Sequence, residues 1–140
     1  MAETIAAGGL EFFIENRTVA ADGGPSIQVR VKEKEQLVQL LRFDMFHKGP
    51  HYHYAPDGQN IRYDVDPLTL DDGIGWVIGL LQRKLPELLA KAGHESILGS
   101  VDRDAVTRAL PGIETRWRAM RPEAAAHPPM TTAGGLETAR

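Results

Sequence analysis

The chain has 140 residues, close to the commonest length of one domain and enough to bury a core without disulfides. It contains no cysteine, which excludes disulfides, thiolate zinc sites and cysteine nucleophiles, so histidine, carboxylate or backbone oxygen atoms would have to hold any metal ion. The formal net charge of -3 argues against a generic duplex-DNA binder. Because we find neither a signal peptide nor a bilayer-length apolar run, we expect a cytoplasmic protein that does not enter a membrane.

The first half of the chain is typical of β-strands joined by short turns. Residues 1–8 are expected to form a flexible leader and residues 10–18 the first strand. A turn signal, Ala-Asp-Gly-Gly-Pro, follows at residues 21–25. Residues 26–32 then alternate apolar and polar side chains, which predicts a strand with one buried and one wet face.

Residues 36–46 are rich in apolar side chains and fit either a helix or a strand that is apolar on both faces. We prefer the strand, because the charged turn before it, at residues 33–35, is short and hairpin-like. On such a strand Arg42 and Asp44 share a face, two positions apart, and we expect them to pair with each other or with neighbouring side chains.

Residues 42–54 contain three of the five histidines and two of the three tyrosines. Because side chains alternate along a strand, His51 and His53 should share one face, and Tyr52 and Tyr54 the other. Gly-Pro at positions 49 and 50 predicts a kink, which would turn His47 back toward the two histidines.

A turn with favourably placed proline and glycine follows at residues 55–59, and residues 60–65 fit a return strand. The two strands predict a hairpin with the histidine pair on one arm. Arg62, Tyr63 and Asp64 would lie on the opposite arm, with Arg62 and Asp64 on one side and Tyr63 on the other.

The second half of the chain predicts helices. Asp71 or Asp72 is suited to cap a long helix, with a kink at Pro86 and a C-terminal cap at Gly93. A second helix should begin after Ser100 or Asp102 and run to about residue 110. Pro-Gly at 111 and 112 is expected to interrupt it before a short helix at 113–120.

Strands followed by helices predict a single α+β domain at residues 9–120. We expect an antiparallel β-meander of about four to five strands with the C-terminal helices packed on one face. Residues 121–140, rich in Pro, Ala, Thr and Gly, are expected to be a flexible tail or one ordered by a partner.

The run Arg-Phe-Asp-x-Phe, followed by Pro-His-Tyr-His-Tyr and later Asp-Pro, resembles a family of small uncharacterised bacterial proteins. The resemblance covers roughly residues 26–110 and implies a shared fold and site but no reaction. The matching residues are Arg42, Phe43, Asp44, Phe46, Pro50, His51, Tyr52, His53, Tyr54, Asp66 and Pro67.

Three functions are compatible with the histidine segment. The preferred one is an accessory or binding module that acts through a protein partner or a second copy of the chain. It would use the aromatic hairpin, with Arg42, Asp44, Tyr52 and Tyr54 as binding residues, and it requires no catalytic geometry.

The first alternative is a divalent transition-metal site or metalloenzyme. Its ligands would be His51 and His53 together with His47 or a carboxylate such as Asp44 or Asp64, because imidazole suits Zn, Cu, Fe and Ni.

The second alternative is a metal-free, toxin-like RNA-cleaving enzyme. His51 and His53 would act as general acid and base, Arg42 or Arg62 would neutralise charge on phosphate, and Tyr52, Tyr54 or Tyr63 would stack on a base. The acidic net charge and the lack of a basic patch disfavour RNA as a partner.

Overall fold

The computed structural model describes residues 2–122, and its strands follow one another in space in the same order as in the sequence. The sheet is antiparallel throughout, which confirms the predicted α+β meander with one strand more than expected. The strands are β1 (Ala2–Ala7), β2 (Leu10–Val19), β3 (Asp22–Glu33), β4 (Gln36–Asp44), β5 (His51–Tyr54) and β6 (Ile61–Asp64). The helices are α1 (Gly73–Lys91) and α2 (Arg103–Ala119), with 3-10 turns at Pro67–Thr69 and Glu95–Ser100.

The additional strand is β1, which replaces the expected flexible leader at residues 1–8. It pairs with β2 along its whole length, from Ala2 opposite Glu15 to Ala7 opposite Leu10. Two glycines with positive φ, at positions 8 and 9, make the two-residue connection. Such turns match the twist of the strands that they join, so a short alanine-rich segment with little strand propensity of its own still pairs.

The turn expected at residues 21–25 is displaced toward the N-terminus, to Ala20 and Ala21, and the Gly-Gly-Pro run belongs to β3. Gly24 has φ 150°, and a Cβ atom there would lie 2.8 Å from the carbonyl oxygen of Met45. The glycine therefore allows β3 to continue close beside the backbone that follows β4, which a turn would not do.

Helix α1 begins and ends as predicted. The side chain of Asp72 accepts a hydrogen bond from the backbone N–H of Gly75, and Gly93 follows the helix with φ 82°. The kink lies at Lys84, two residues before Pro86, where φ is -130°. The proline removes a backbone donor and restricts the chain before it, which accounts for the irregularity.

Helix α2 is capped by Asp102 and is continuous through Pro111, so the predicted interruption is wrong. Pro111 and Gly112 are exposed, and the buried residues of the helix continue with helical spacing on either side of them. The packing of this stripe outweighs the missing hydrogen bond. The stripe consists of Val106, Leu110, Ile113 and Trp117.

The core lies between the helices and the apolar face of the sheet. Trp76 of α1 contacts the rings of Phe43 and Tyr52, and the indole N–H of Trp117 donates to the carbonyl oxygen of Glu15 at 3.2 Å.

Within the described residues, no helix combines the length and apolar character needed to cross a bilayer. The tail prediction for 121–140 falls mostly on residues 123–140, which lie outside the described part of the chain. The other face of the sheet carries four buried polar side chains, from Ser26, Asp44, His51 and His53.

Candidate functional site

The carboxylate of Asp44 is the centre of a polar cluster on the sheet face opposite the helices, and its residue is only 1% exposed. One oxygen, Oδ1, accepts from Ser26 Oγ at 2.6 Å and from Arg17 Nη1 at 3.3 Å. The other oxygen, Oδ2, accepts from Arg42 Nε at 3.1 Å and lies 3.1 Å from His51 Nε2. Both oxygens are therefore surrounded by cationic or polar groups.

The register of three neighbouring strands builds this cluster. Asp44 pairs with Ser26 on one side and with His51 on the other. Arg42, two residues earlier on the same face, pairs with His53. Side chains at opposed positions of an antiparallel ladder share a face and approach closely, so alternation alone brings the two imidazoles to the carboxylate.

The hydrogen bond between His51 and Gly49 determines which ring nitrogen carries the hydrogen atom. Its Nδ1 lies 2.9 Å from the carbonyl oxygen of Gly49, which can only accept, so Nδ1 carries a hydrogen atom. Its Nε2 lies against Asp44 Oδ2, which is also an acceptor. This contact is an ion pair only if His51 is protonated; with Nδ1 donating to Gly49, the Nε2 atom of the neutral ring presents a lone pair beside the carboxylate, where a cation can lie.

His53 is the neutral tautomer with its hydrogen atom on Nδ1. That atom lies 2.8 Å from Asn60 Oδ1, and Nε2 lies 3.3 Å from Arg42 Nη2, which can only donate. Burial, together with the nearby Arg42 charge, lowers the pKa of His53 despite its hydrogen bond to Asn60. Its Nε2 lone pair is thus available at neutral pH.

The three side chains form a group with the donor set of a metal site. One donor atom from each of Asp44, His51 and His53 lies within 4.8 Å of the others, and this is the one such group of three in residues 2–122. The two imidazole rings are 5.0 Å apart and nearly perpendicular. Metal-bound histidines commonly donate their second N–H to a carbonyl or carboxylate oxygen, and both rings here have an oxygen at Nδ1.

Two guanidinium groups form the outer wall of the cluster. Arg42 bridges Asp44 and His53, and its side chain is 25% exposed. Arg17 is 32% exposed, lies 3.9 Å from a carboxylate oxygen of Glu15 and covers the ring of Phe46 at 5.8 Å. The Arg42 guanidinium therefore lies between Asp44 Oδ2 and His53 Nε2, two atoms that could bind a metal ion.

Several predicted site residues lie outside the cluster. His47 is exposed, and its backbone N–H bonds to Gly23, so the bend at Gly49-Pro50 does not bring this ring to the histidine pair. Asp64 is opposite His51 in register, but its side chain is 75% exposed and accepts from Arg62 at 2.9 Å. Asp44 thus takes the place of the carboxylate proposed at Asp64.

The three tyrosines of the hairpin lie on the helix side of the sheet, away from the imidazoles. Tyr52 stacks between Phe43 and Tyr63, with ring centroids 5.4 and 5.5 Å apart. Burial raises the pKa of Tyr54 to about 12, with further contributions from Tyr52 and Tyr63. Their partners make them packing residues of the hairpin, separate from the polar cluster.

Sequence reasoning missed Asp22, which organises the loop beside the cluster. Its carboxylate accepts from the backbone N–H groups of Gly23 at 2.8 Å, Lys48 at 3.0 Å and Gly49 at 2.9 Å. Burial acts to raise the pKa of Asp22, but these hydrogen bonds outweigh it, and the pKa is lowered. Fixing Gly49 also fixes the carbonyl group that His51 meets.

Arg17, Ser26 and Asn60 were also missed. Arg17 and Ser26 reach the cluster from strands distant in sequence, and only the sheet register could have identified them. Asn60 lies seven residues from His53, beside the turn of the same hairpin.

Comparison with known proteins gives a family and no activity. No curated protein and no solved structure matches the chain. A family model described as a domain of unknown function (DUF7700) matches residues 4–117, which extends beyond the range expected from the histidine–tyrosine motif. This confirms that the chain falls in an uncharacterised domain family. The match covers most of β1, the whole of the other five strands and nearly all of both helices, so the chain belongs to the DUF7700 family.

Proposed function

We propose that this protein binds a divalent transition-metal ion through Nε2 of His51, Nε2 of His53 and the carboxylate of Asp44. One observation carries the proposal: both Nδ1 atoms are matched to oxygen acceptors, so both Nε2 atoms are left facing the region of a single buried carboxylate. The accessory role preferred from sequence and the RNA-cleaving alternative stay predictions, since the same geometry does not bear on them.

Three protein ligands leave coordination positions for water or a substrate. This is the pattern of catalytic zinc sites and of non-haem iron sites with two histidines and one carboxylate, whereas structural zinc sites use four protein ligands. Since the chain has no cysteine, a thiolate site is excluded, and zinc or ferrous iron suits the donors best. We therefore propose a site at which a ligand reaches the ion directly.

Binding requires Arg42 to release Asp44 Oδ2 and His53 Nε2, which the ion would take over. A quarter-exposed side chain can turn toward solvent, and one cation then replaces another beside the carboxylate. The ligands must also be deprotonated, so the affinity for metal should rise with pH across the range in which histidine loses its proton.

The test is a metal titration of chelator-treated protein with Zn²⁺ and Co²⁺, followed by calorimetry and by the visible spectrum of Co²⁺. We expect one ion per chain. His51→Gln and His53→Gln should each weaken binding by at least about tenfold, equivalent to about 1.4 kcal/mol. His47→Gln is the matched control, because this exposed histidine lies in the same segment but outside the cluster.

Two results would overturn the proposal. One is wild-type protein that takes up neither ion. The other is a double variant, His51→Gln with His53→Gln, that folds and binds metal as tightly as the wild type.

A further inference from the structure

We infer that the metal site accepts a small oxyanion, such as a phosphate or a carboxylate, which binds the ion through one oxygen and the guanidinium groups of Arg17 and Arg42 through others. The inference rests on the proposed metal ion and adds the chemical class of its ligand. Its basis is the distribution of charge and exposed donors around Asp44.

The charges beside the ion's position would not balance without an anion. In the structure the guanidinium groups of Arg17 and Arg42 are matched by the carboxylates of Asp44 and Glu15. A divalent cation bound to Asp44 would add positive charge without adding a carboxylate. Like charges at this separation repel in a partly buried site, so an anionic ligand stabilises the loaded state and a neutral one does not.

The two arginines flank the carboxylate from different sides. Arg17 contacts Oδ1 of Asp44, and Arg42 contacts Oδ2. An ion on Oδ2 and His53 would displace Arg42 from both of its partners and leave its Nε and Nη2 donors free to bind a ligand. The planar fork of a guanidinium group matches two oxygens of a carboxylate or phosphate, which makes arginine the usual partner of such groups.

Access and orientation also favour a ligand from solvent. The side chains of Arg17 and Arg42 are the more exposed members of the cluster, whereas Asp44 is buried beneath them. Arg17 is further held by its contact with the Phe46 ring and by its ion pair with Glu15. An anion arriving at the open coordination positions would therefore meet Arg17 already held in place, which lowers the entropic cost of binding.

The experiment titrates Co²⁺-loaded protein with inorganic phosphate and, separately, with oxalate, and monitors the Co²⁺ spectrum and the heat of binding. The two arms distinguish a phosphate ligand from a carboxylate ligand. We expect at least one anion to bind and to perturb the spectrum. Arg17→Gln should weaken that binding by about tenfold or more while Co²⁺ still binds, and Arg17→Lys, which keeps charge without the fork, should recover part of it.

Arg42→Met should weaken anion binding while it tightens Co²⁺ binding. Arg62→Gln is the control, because this arginine also lies on the hairpin but pairs with the exposed Asp64. If Co²⁺ binds and neither anion does, or if both arginine variants bind the anion normally, the inference fails and the metal proposal stands. Equal, arginine-dependent affinity in chelator-treated protein would also overturn it, since the ion would then play no part. If Co²⁺ does not bind, the proposed function fails and the inference fails with it.

Discussion

Nε2 of His51 lies 3.1 Å from Oδ2 of Asp44 while Nδ1 of the same ring lies 2.9 Å from the carbonyl oxygen of Gly49. An imidazole that donates from Nδ1 leaves its Nε2 lone pair for a cation beside the carboxylate. Asp44 therefore contacts His51, Arg17 and Arg42 on this face of the sheet, and Arg17 has Glu15 as a second carboxylate partner. The loss of Asp44 should affect stability as well as ligand binding.

Asp44→Asn should lower the free energy of unfolding by about 3 kcal/mol, because it removes the buried carboxylate that the guanidinium groups of Arg17 and Arg42 share. Urea unfolding of the metal-free protein measures the effect. Asp64→Asn is the matched control, since Asp64 also pairs with an arginine but is 75% exposed, and its loss should cost less than about 1 kcal/mol. Similar losses in the two variants would contradict the central role of Asp44.

Asp22 makes stability depend on pH in the acid range. Although burial acts to raise the pKa of this carboxyl, three backbone N–H groups outweigh it and hold the pKa below the ordinary value of 3.8. A lowered folded pKa contributes stability that is present above the unfolded value and is lost as pH falls through the folded value. Asp22→Asn should remove this part of the acid destabilisation.

The measurement is the free energy of urea unfolding of both proteins from about pH 5 down to the lowest pH at which both remain folded without urea. The wild-type curve should fall more steeply than the variant curve below pH 3.8. Parallel curves would mean that the carboxylate of Asp22 gains nothing from the loop in the folded state.

The sequence predicted the histidine pair correctly because strand alternation is local, but it could not predict the partners of Asp44. Counting back from the turn at residues 34–35 would pair Ser26 with Phe43. The irregularity between Val29 and Arg30 shifts the ladder by one residue and pairs Ser26 with Asp44 instead. A bulge is set by tertiary packing, so the hydroxyl beside Asp44 follows from the folded sheet alone.

The predicted position of the His47 side chain was wrong for a different reason. Its parity and the Gly49-Pro50 bend predicted a third imidazole in the cluster, but the bend is used to bond the loop to the Asp22 carboxylate and the Gly23 carbonyl. These contacts join segments that lie more than twenty residues apart. The local sequence predicts that the chain bends here, whereas the direction of the bend depends on hydrogen bonds to residues distant in sequence.

Tyr54 provides a pH dependence at the alkaline end. Burial, with the neighbouring Tyr52 and Tyr63, raises its pKa from 10.0 to about 12. The unfolded chain therefore loses this proton first, and the stabilisation is complete below pH 10 and is lost as pH rises to about 12. In Tyr54→Phe the free energy of unfolding should decline less steeply over this range. Urea unfolding at intervals across it provides the comparison, and indistinguishable slopes would contradict the assignment.

Two glycines with contrasting surroundings test the packing beside the cluster. A Cβ atom at Gly24 would lie 2.8 Å from the Met45 carbonyl oxygen and 3.1 Å from the Phe46 Cα, and φ is 150°. Gly24→Ala should therefore cost about 2 kcal/mol or more and disturb Phe46, which packs on His51. Gly112, in α2, has no atom within 4 Å of an added Cβ, so Gly112→Ala should stabilise by about 0.5 to 1 kcal/mol. Thermal unfolding distinguishes the two, and equal shifts would refute the packing argument.

Arg42 competes with the proposed metal ion for two of its ligands. Its guanidinium donates to Asp44 Oδ2 at 3.1 Å and faces His53 Nε2 at 3.3 Å. Arg42→Met keeps the aliphatic stem but removes every donor, so the ion no longer has to displace two charge-assisted hydrogen bonds. These are worth about 1.5 kcal/mol or more, so Zn²⁺ affinity measured by competition with a chromogenic chelator should rise about tenfold.

Arg62→Gln should leave the affinity unchanged, because Arg62 pairs with Asp64 outside the cluster. Unchanged or weaker Zn²⁺ binding in Arg42→Met would show that this guanidinium supports the ion and does not compete with it.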